Sequence, residues 1–135
     1  MDQVYQKDLK FDTLIYLIYI NLNFNMNLIK CLNPIQKVFV GPYTKYSIGI
    51  SNFILIKWSP KSMTKIHNHD GKDCSFIILN DTLHECRYTD KYMGALYSSK
   101  TLNPYIINTI RDKDGYHQMF NFDNKIKYSL HWYYD

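Results

Sequence analysis

From Tyr43 onward the chain is a succession of short runs rich in β-branched and aromatic residues, and each run is closed by a turn signal. The runs are Tyr46–Ile50, Phe53–Trp58, Lys65–His69, Cys74–Leu79, Thr82–Tyr88, Tyr105–Ile110, His117–Phe120 and Ile126–Tyr133. Ser-Pro, Asp-Gly and Asn-Asp pairs punctuate them. Runs of four to eight such residues bounded by turn formers read as strands, and many in succession predict an antiparallel barrel or double-sheet jelly roll. No internal repeat or low-complexity linker interrupts the series. At 135 residues, 46% of them apolar, the chain reads as one domain with a core of its own.

The first forty residues differ in texture. Between Val4 and Ile29 the apolar positions Leu9, Leu14, Ile15, Leu17, Ile18, Leu22, Phe24 and Leu28 are compatible with one or two helices, although Ile, Tyr and Asn are weak helix formers. Asn33-Pro34 breaks the pattern and Gly41-Pro42 reads as a turn. The expectation is a short helical cap over residues 1–40, followed by a barrel over 43–133. The apolar stretch Leu14–Ile20 is too short to span a bilayer. Lys7 and Lys10 precede it as in a signal peptide, but no small-residue cleavage site follows and Asp8 and Asp12 interrupt the flank, so a buried element of a soluble domain is the better reading.

Net charge is +4, with Lys and Arg scattered among Asp and Glu rather than drawn into a stripe, which argues against nucleic acid as a partner. Nothing points to a membrane. Cys31, Cys74 and Cys86 are odd in number and irregular in spacing, a poor disulfide framework, so a reducing, cytoplasmic location is expected.

The chemistry is concentrated in Ile66-His67-Asn68-His69, with Cys74 five residues on and His117 in Asp114-Gly115-Tyr116-His117. On a strand, side chains two apart share a face, so His67 and His69 would present two imidazoles to one metal ion, with His117 completing the site from another strand. Three neutral imidazoles with positions left open suit a divalent metal that binds substrate, iron or zinc. His84 reads as an ordinary surface or core histidine.

These elements resemble cysteine dioxygenase, a thiol dioxygenase of the cupin superfamily. His67-x-His69 matches the first cupin motif, with Cys74 where most cupins carry a glutamate, a substitution seen in cysteine dioxygenases. Gly115, His117 and Asn121 match the second motif. Ser129-Leu130-His131-Trp132-Tyr133 matches the family's Ser-x-His-x-Tyr element, Tyr43-Thr44-Lys45 is similar to a substrate-holding Tyr-Thr-Arg segment, and Trp58 has a counterpart before the metal strand. The likeness runs from about Tyr43 to Tyr133.

The resemblance implies a cupin β-barrel holding Fe(2+) on His67, His69 and His117, and oxidation of L-cysteine with O2 to cysteine sulfinic acid; a monomer is the expectation. It implies a thioether crosslink between Cys74 and Tyr133, with His131 hydrogen-bonded to the tyrosine hydroxyl and Ser129 behind it. It also implies that Lys45 and Tyr43 hold the substrate. Tyr134, next in sequence, should point to the opposite face. Lys45 departs from the family, because arginine offers a planar bidentate fork where lysine offers one compact charge. Weaker or altered substrate selection is the expectation, and a surface position for Lys45 is the competing reading. Asn80-Asp81 replaces the family's glycine turn, which both residues tolerate. The family continues past the tyrosine, so one pocket wall is expected to differ. Dioxygenation of another small thiol, a hydrolytic zinc site and a non-catalytic metal-binding cupin are the alternatives.

Overall fold

The computed structural model describes residues 36–47, 53–92 and 95–135, so the helical segment expected near the N-terminus lies outside the described residues. Among the described residues there are ten strands: β1 (Gln36–Val40), β2 (Tyr43–Ser47), β3 (Phe53–Trp58), β4 (Ser62–Met63), β5 (Asp73–Ile78), β6 (Leu83–Tyr88), β7 (Leu96–Leu102), β8 (Ile107–Ile110), β9 (Tyr116–Asn121) and β10 (Lys127–Tyr134). They form a six-stranded sheet in the order β1-β2-β3-β10-β5-β8 and a four-stranded sheet in the order β4-β9-β6-β7. Every pairing is antiparallel. This is the double-sheet arrangement of a cupin. Among the described residues no helix is long and apolar enough to cross a membrane.

Pleating divides the six-stranded sheet into two buried faces. Ile56, Trp58, Cys74, Phe76 and Ile78 pack with Leu83, Leu102 and Met119 of the facing sheet. The alternate residues Phe53, Leu55, Ile77, Leu79, Leu130 and Trp132 form a second cluster with Tyr46, Tyr128 and Tyr134 against it. Phe53 and Trp132 stack there at 5.6 Å between ring centroids.

Three expectations are corrected. The predicted strand Lys65–His69 is absent; in its place stand the two-residue β4 and then an irregular segment joined to β9 by a single bridge, His67 to His117. Thr64 meets Met119 and His67 meets His117, so three steps on this side answer two on β9. That extra residue is a bulge, a device that re-aims side chains next to a site. β1 lies within the forty residues read as the cap, and β2 begins at Tyr43 rather than Tyr46. β7 escaped notice because Leu96–Leu102 is mostly exposed and polar, an edge strand without an apolar face.

Two turns hold the site in register. Gly115, immediately before β9, has φ +90°, and a Cβ there would stand 2.7 Å from the Tyr88 carbonyl oxygen. Asp81 takes φ +58° in the turn expected from Asn80-Asp81. Asn80 ties that turn to β10 by accepting from the Tyr128 amide at 2.7 Å.

Candidate metal centre

The bulged segment and β9 bring three histidine side chains together. His117 Nε2 stands 3.2 Å from His67 Nε2 and 3.2 Å from His69 Nε2. Ligand atoms of all three lie within 4.8 Å of one another. The outer nitrogens fix two of the rings: His67 Nδ1 meets the Lys65 carbonyl at 2.8 Å, and His117 Nδ1 meets Glu85 Oε2 at 2.9 Å. A carbonyl can only accept, so His67 carries its proton on Nδ1 and turns an unprotonated Nε2 inward.

Burial, reinforced by the neighbouring His117, lowers His67 to about 4, and burial with His117 and His67 lowers His69 to about 3. Both are neutral near pH 7. Three lone-pair nitrogens facing one point repel unless a cation sits among them. Nitrogens about 2.1 Å from a shared ion stand roughly 3.0–3.4 Å apart over octahedral to tetrahedral angles. The two separations from His117, both 3.2 Å, fall in that interval, and all three ligand atoms lie within 4.8 Å of one another. The donor set therefore fits a divalent transition metal.

Cys74 on β5 and Tyr133 on β10 are direct cross-strand partners. Their side chains share a hydrogen bond, and the Tyr133 ring lies edge-on to His69 at 5.3 Å between centroids. Burial pushes the Cys74 thiol up to about 12, against the pull of the Trp132 backbone and Lys45. Burial, with Cys74 adding to it, raises the Tyr133 hydroxyl well above its ordinary value. Both keep their protons at neutral pH.

His131 is buried and held well below its usual pKa, first by burial and then by His69 and His117. Its Nε2 meets Ser129 Oγ at 2.8 Å and its Nδ1 faces Cys74 Sγ at 3.8 Å. The expected bond to the Tyr133 hydroxyl gives way to this contact with the sulfur, and the two rings lie nearly parallel, 6.4 Å apart. Ser129 stands behind His131 as expected, and Trp58 Nε1 donates to its hydroxyl at 2.8 Å. Tyr134 points the other way, meeting Ser75 Oγ at 2.9 Å.

Tyr43 and Lys45 of β2 line the same small cavity as the three histidines, His131 and Tyr133, with Ile56, Trp58 and Met119 as apolar wall. Lys45 is half-buried there rather than on the surface, and burial draws its ammonium below the ordinary value, with Cys74 opposing. Its Nζ lies 6.0 Å from the centre of the Tyr43 ring. His84 sits outside, bonded to Ser99 at 2.8 Å, as expected of an ordinary histidine. Sequence reading missed Glu85. Burial raises its carboxyl, but His117 and Arg87 outweigh that and hold it below the usual range. The available signal was a carboxylate at an inward position of a strand, two residues after Leu83.

A family model for cysteine dioxygenase type I matches residues 39–135. The chain belongs to the cysteine dioxygenase type I family. Membership makes it a cupin of dioxygenase type, and the three histidines give it a site that could hold a metal. No curated protein sequence matches the chain. Among solved structures, the Drosophila melanogaster CENP-C cupin domain is similar at TM-score 0.60 and 10% identity, over 76% of this chain and 77% of that one. A cupin-superfamily sugar phosphate isomerase from Silicibacter pomeroyi is similar at 0.57 and 16%, over 77% and 73%. An oxalate oxidase is similar at 0.51 and 15%, over 68% of this chain and 41% of that one. At such identities these likenesses establish the cupin fold alone.

Proposed function

We propose that this protein is an iron-dependent thiol dioxygenase that oxidises L-cysteine to cysteine sulfinic acid. The observation that carries the reading is the convergence of three imidazoles beside the Cys74–Tyr133 pair, on a cavity that also holds Lys45. The reaction balances without an outside reductant. Both atoms of O2 end on the sulfur, the sulfur gives up four electrons, and the thiol hydrogen remains on the sulfinic acid.

A ferrous ion held by His67, His69 and His117 would supply the redox chemistry toward O2 and a soft cation for a thiolate, which zinc, lacking redox chemistry, would not. The chain's own residues do the rest. Lys45 offers a positive charge to the substrate carboxylate, with the Tyr43 hydroxyl beside it. Ile56, Trp58 and Met119 give the cavity an apolar wall, and an apolar surround strengthens the charge interactions inside it. The Tyr133 hydroxyl, protonated at working pH, donates a hydrogen bond to the reacting groups. Cys74 and Tyr133 form a thioether in which the S–H and one ring C–H are lost, one C–S bond forms, and O2 takes the two hydrogens. The bond removes the tyrosine's rotamer freedom and preorganises its hydroxyl. Every residue in this scheme comes from one chain, so a monomer suffices, and the cytoplasm supplies both the thiol and a reducing milieu.

Lys45 favours one second reading, a dioxygenase for another small thiol, because its single charge selects less sharply than an arginine fork. The test is oxygen uptake by iron-reconstituted protein on L-cysteine, with sulfinate quantified, beside thiols lacking the amine or the carboxylate. Stoichiometric uptake and sulfinate on cysteine are expected. Uptake only on another thiol supports the second reading, and bound iron without turnover of any thiol defeats both.

A further inference from the structure

β6 turns Glu85 into the interior, where its side chain is entirely withdrawn from water. A buried carboxylate persists only when both oxygens are engaged. Oε2 meets His117 Nδ1 at 2.9 Å, and Oε1 meets Arg87 Nε at 2.9 Å with Lys100 Nζ at 4.0 Å. Arg87 is anchored in turn, donating through Nη2 to the Thr109 carbonyl at 2.9 Å and standing 3.9 Å from Asp114. Asp114 belongs to the 3₁₀ turn that leads through Gly115 into β9 and His117. One carboxylate thus joins the His117 ring to the strand beside it, while its cation clamps the loop that starts β9.

We infer that Glu85 is a positioning residue of the metal centre, acting through His117. The inference rests on the metal reading given above. An ionised carboxylate accepts only, so His117 carries a proton on Nδ1, which leaves Nε2 as the nitrogen that can ligate at the point shared with His67 and His69. A carboxylate–imidazole–metal arrangement also makes the imidazole a stronger donor. His67 has a neutral carbonyl in the equivalent position, so the three ligands are not equal. His117 is the strongest of them and the one on which retention of the ion depends most. The Arg87 charge balances Glu85, so the effect comes through the hydrogen bond and not through added net charge.

The competing role is purely structural, with Glu85 serving only as the buried counter-ion of Arg87. Chelator competition with zinc on the full chain separates the two. Glu85→Gln keeps shape and an acceptor while removing the charge, and zinc affinity is expected to weaken roughly 10- to 100-fold. The melting temperature of the metal-free variant reports any structural loss separately. Affinity within about twofold of wild type, whatever the metal-free stability, overturns the inference. Should the variant not fold, 15N spectra of the zinc-loaded wild type decide: a protonated Nδ1 and a zinc-bound Nε2 on His117 are expected, and zinc on Nδ1 or an unprotonated Nδ1 overturns it. Wild type that takes no zinc brings down the metal reading along with this one, whereas normal binding by both proteins brings down this one alone.

Discussion

Gly115→Ala tests how tightly the fold positions the site. The residue sits at φ +90°, ψ −127°, outside the regions open to L side chains. Holding alanine there costs about 1–3 kcal/mol of backbone strain. A second cost is steric, because the new Cβ would meet the Tyr88 carbonyl oxygen at 2.7 Å, and that oxygen is backbone and has no rotamer to move to. Relief requires a shift of several tenths of an ångström between β6 and β9, adding about 1–3 kcal/mol as overpacking does. Taken together, about 2–6 kcal/mol on a domain of this size lowers the melting temperature by roughly 8–24 °C. Gly71→Ala is the internal control: its φ is +86°, but nothing lies within 4 Å of the added Cβ. It should lose only the backbone cost, about 1 kcal/mol and roughly 4 °C. Thermal unfolding of the metal-free proteins by circular dichroism measures both. Equal losses for the two variants would show that the approach to Tyr88 adds nothing, and a Gly115→Ala protein as stable as wild type would refute the argument altogether. Because His117 lies two residues on, the Gly115 variant should also bind metal more weakly than the Gly71 variant.

Three further outcomes follow from the site. His117→Ala should lose its iron on gel filtration, since two imidazoles seldom retain a ferrous ion; near-normal iron content by elemental analysis would remove His117 from the ligand set. After turnover, the intact mass of wild type should fall by two hydrogens, with peptide mapping placing the loss at Cys74 and Tyr133, and Cys74→Ser should keep iron, show no such loss and turn over more slowly. The metal-free protein should lose stability as pH falls from about 6.5 toward about 4. His67 and His69 titrate lower in the folded state than in the unfolded one, so in that window the unfolded state binds more protons and stability rises with pH. Denaturant midpoints that stay flat between pH 7 and 4.5 would contradict this.

The barrel was legible because β3 and β5 bury both faces and read as largely apolar runs, while β10 alternates Tyr128, Leu130 and Trp132 with Lys127, Ser129 and His131. Their ends fall within one residue of the expected bounds. β7 was not legible for the opposite reason, since an edge strand exposed along most of its length has no apolar signature. The histidine pair was found by a spacing that suits a strand, yet no regular strand holds it. A bulge places both rings at the centre, and bulges leave no mark on a sequence. Glu85 was hidden because β6 alternates imperfectly, and only the register of β6 against β9, with Glu85 opposite Met119 and Arg87 opposite His117, brings its carboxylate to the His117 ring.

The pairing of β10 with β3 and β5 explains why His131 turns to the sulfur and not to the tyrosine. An indole N–H can only donate, so the Ser129 oxygen accepts from Trp58. The serine's own proton is then directed to its other partner, His131 Nε2. With Nε2 accepting, the proton of the neutral imidazole resides on Nδ1, which faces Cys74. A tryptophan on β3 thus sets, through a serine and a histidine on β10, the donor that meets a thiol on β5. This one-directional chain needs no titration, which is why a histidine buried this deeply and held far below its ordinary pKa is tolerated. It also leaves the Tyr133 hydroxyl uncommitted to His131, with Cys74 as its neighbour at the edge of the cavity.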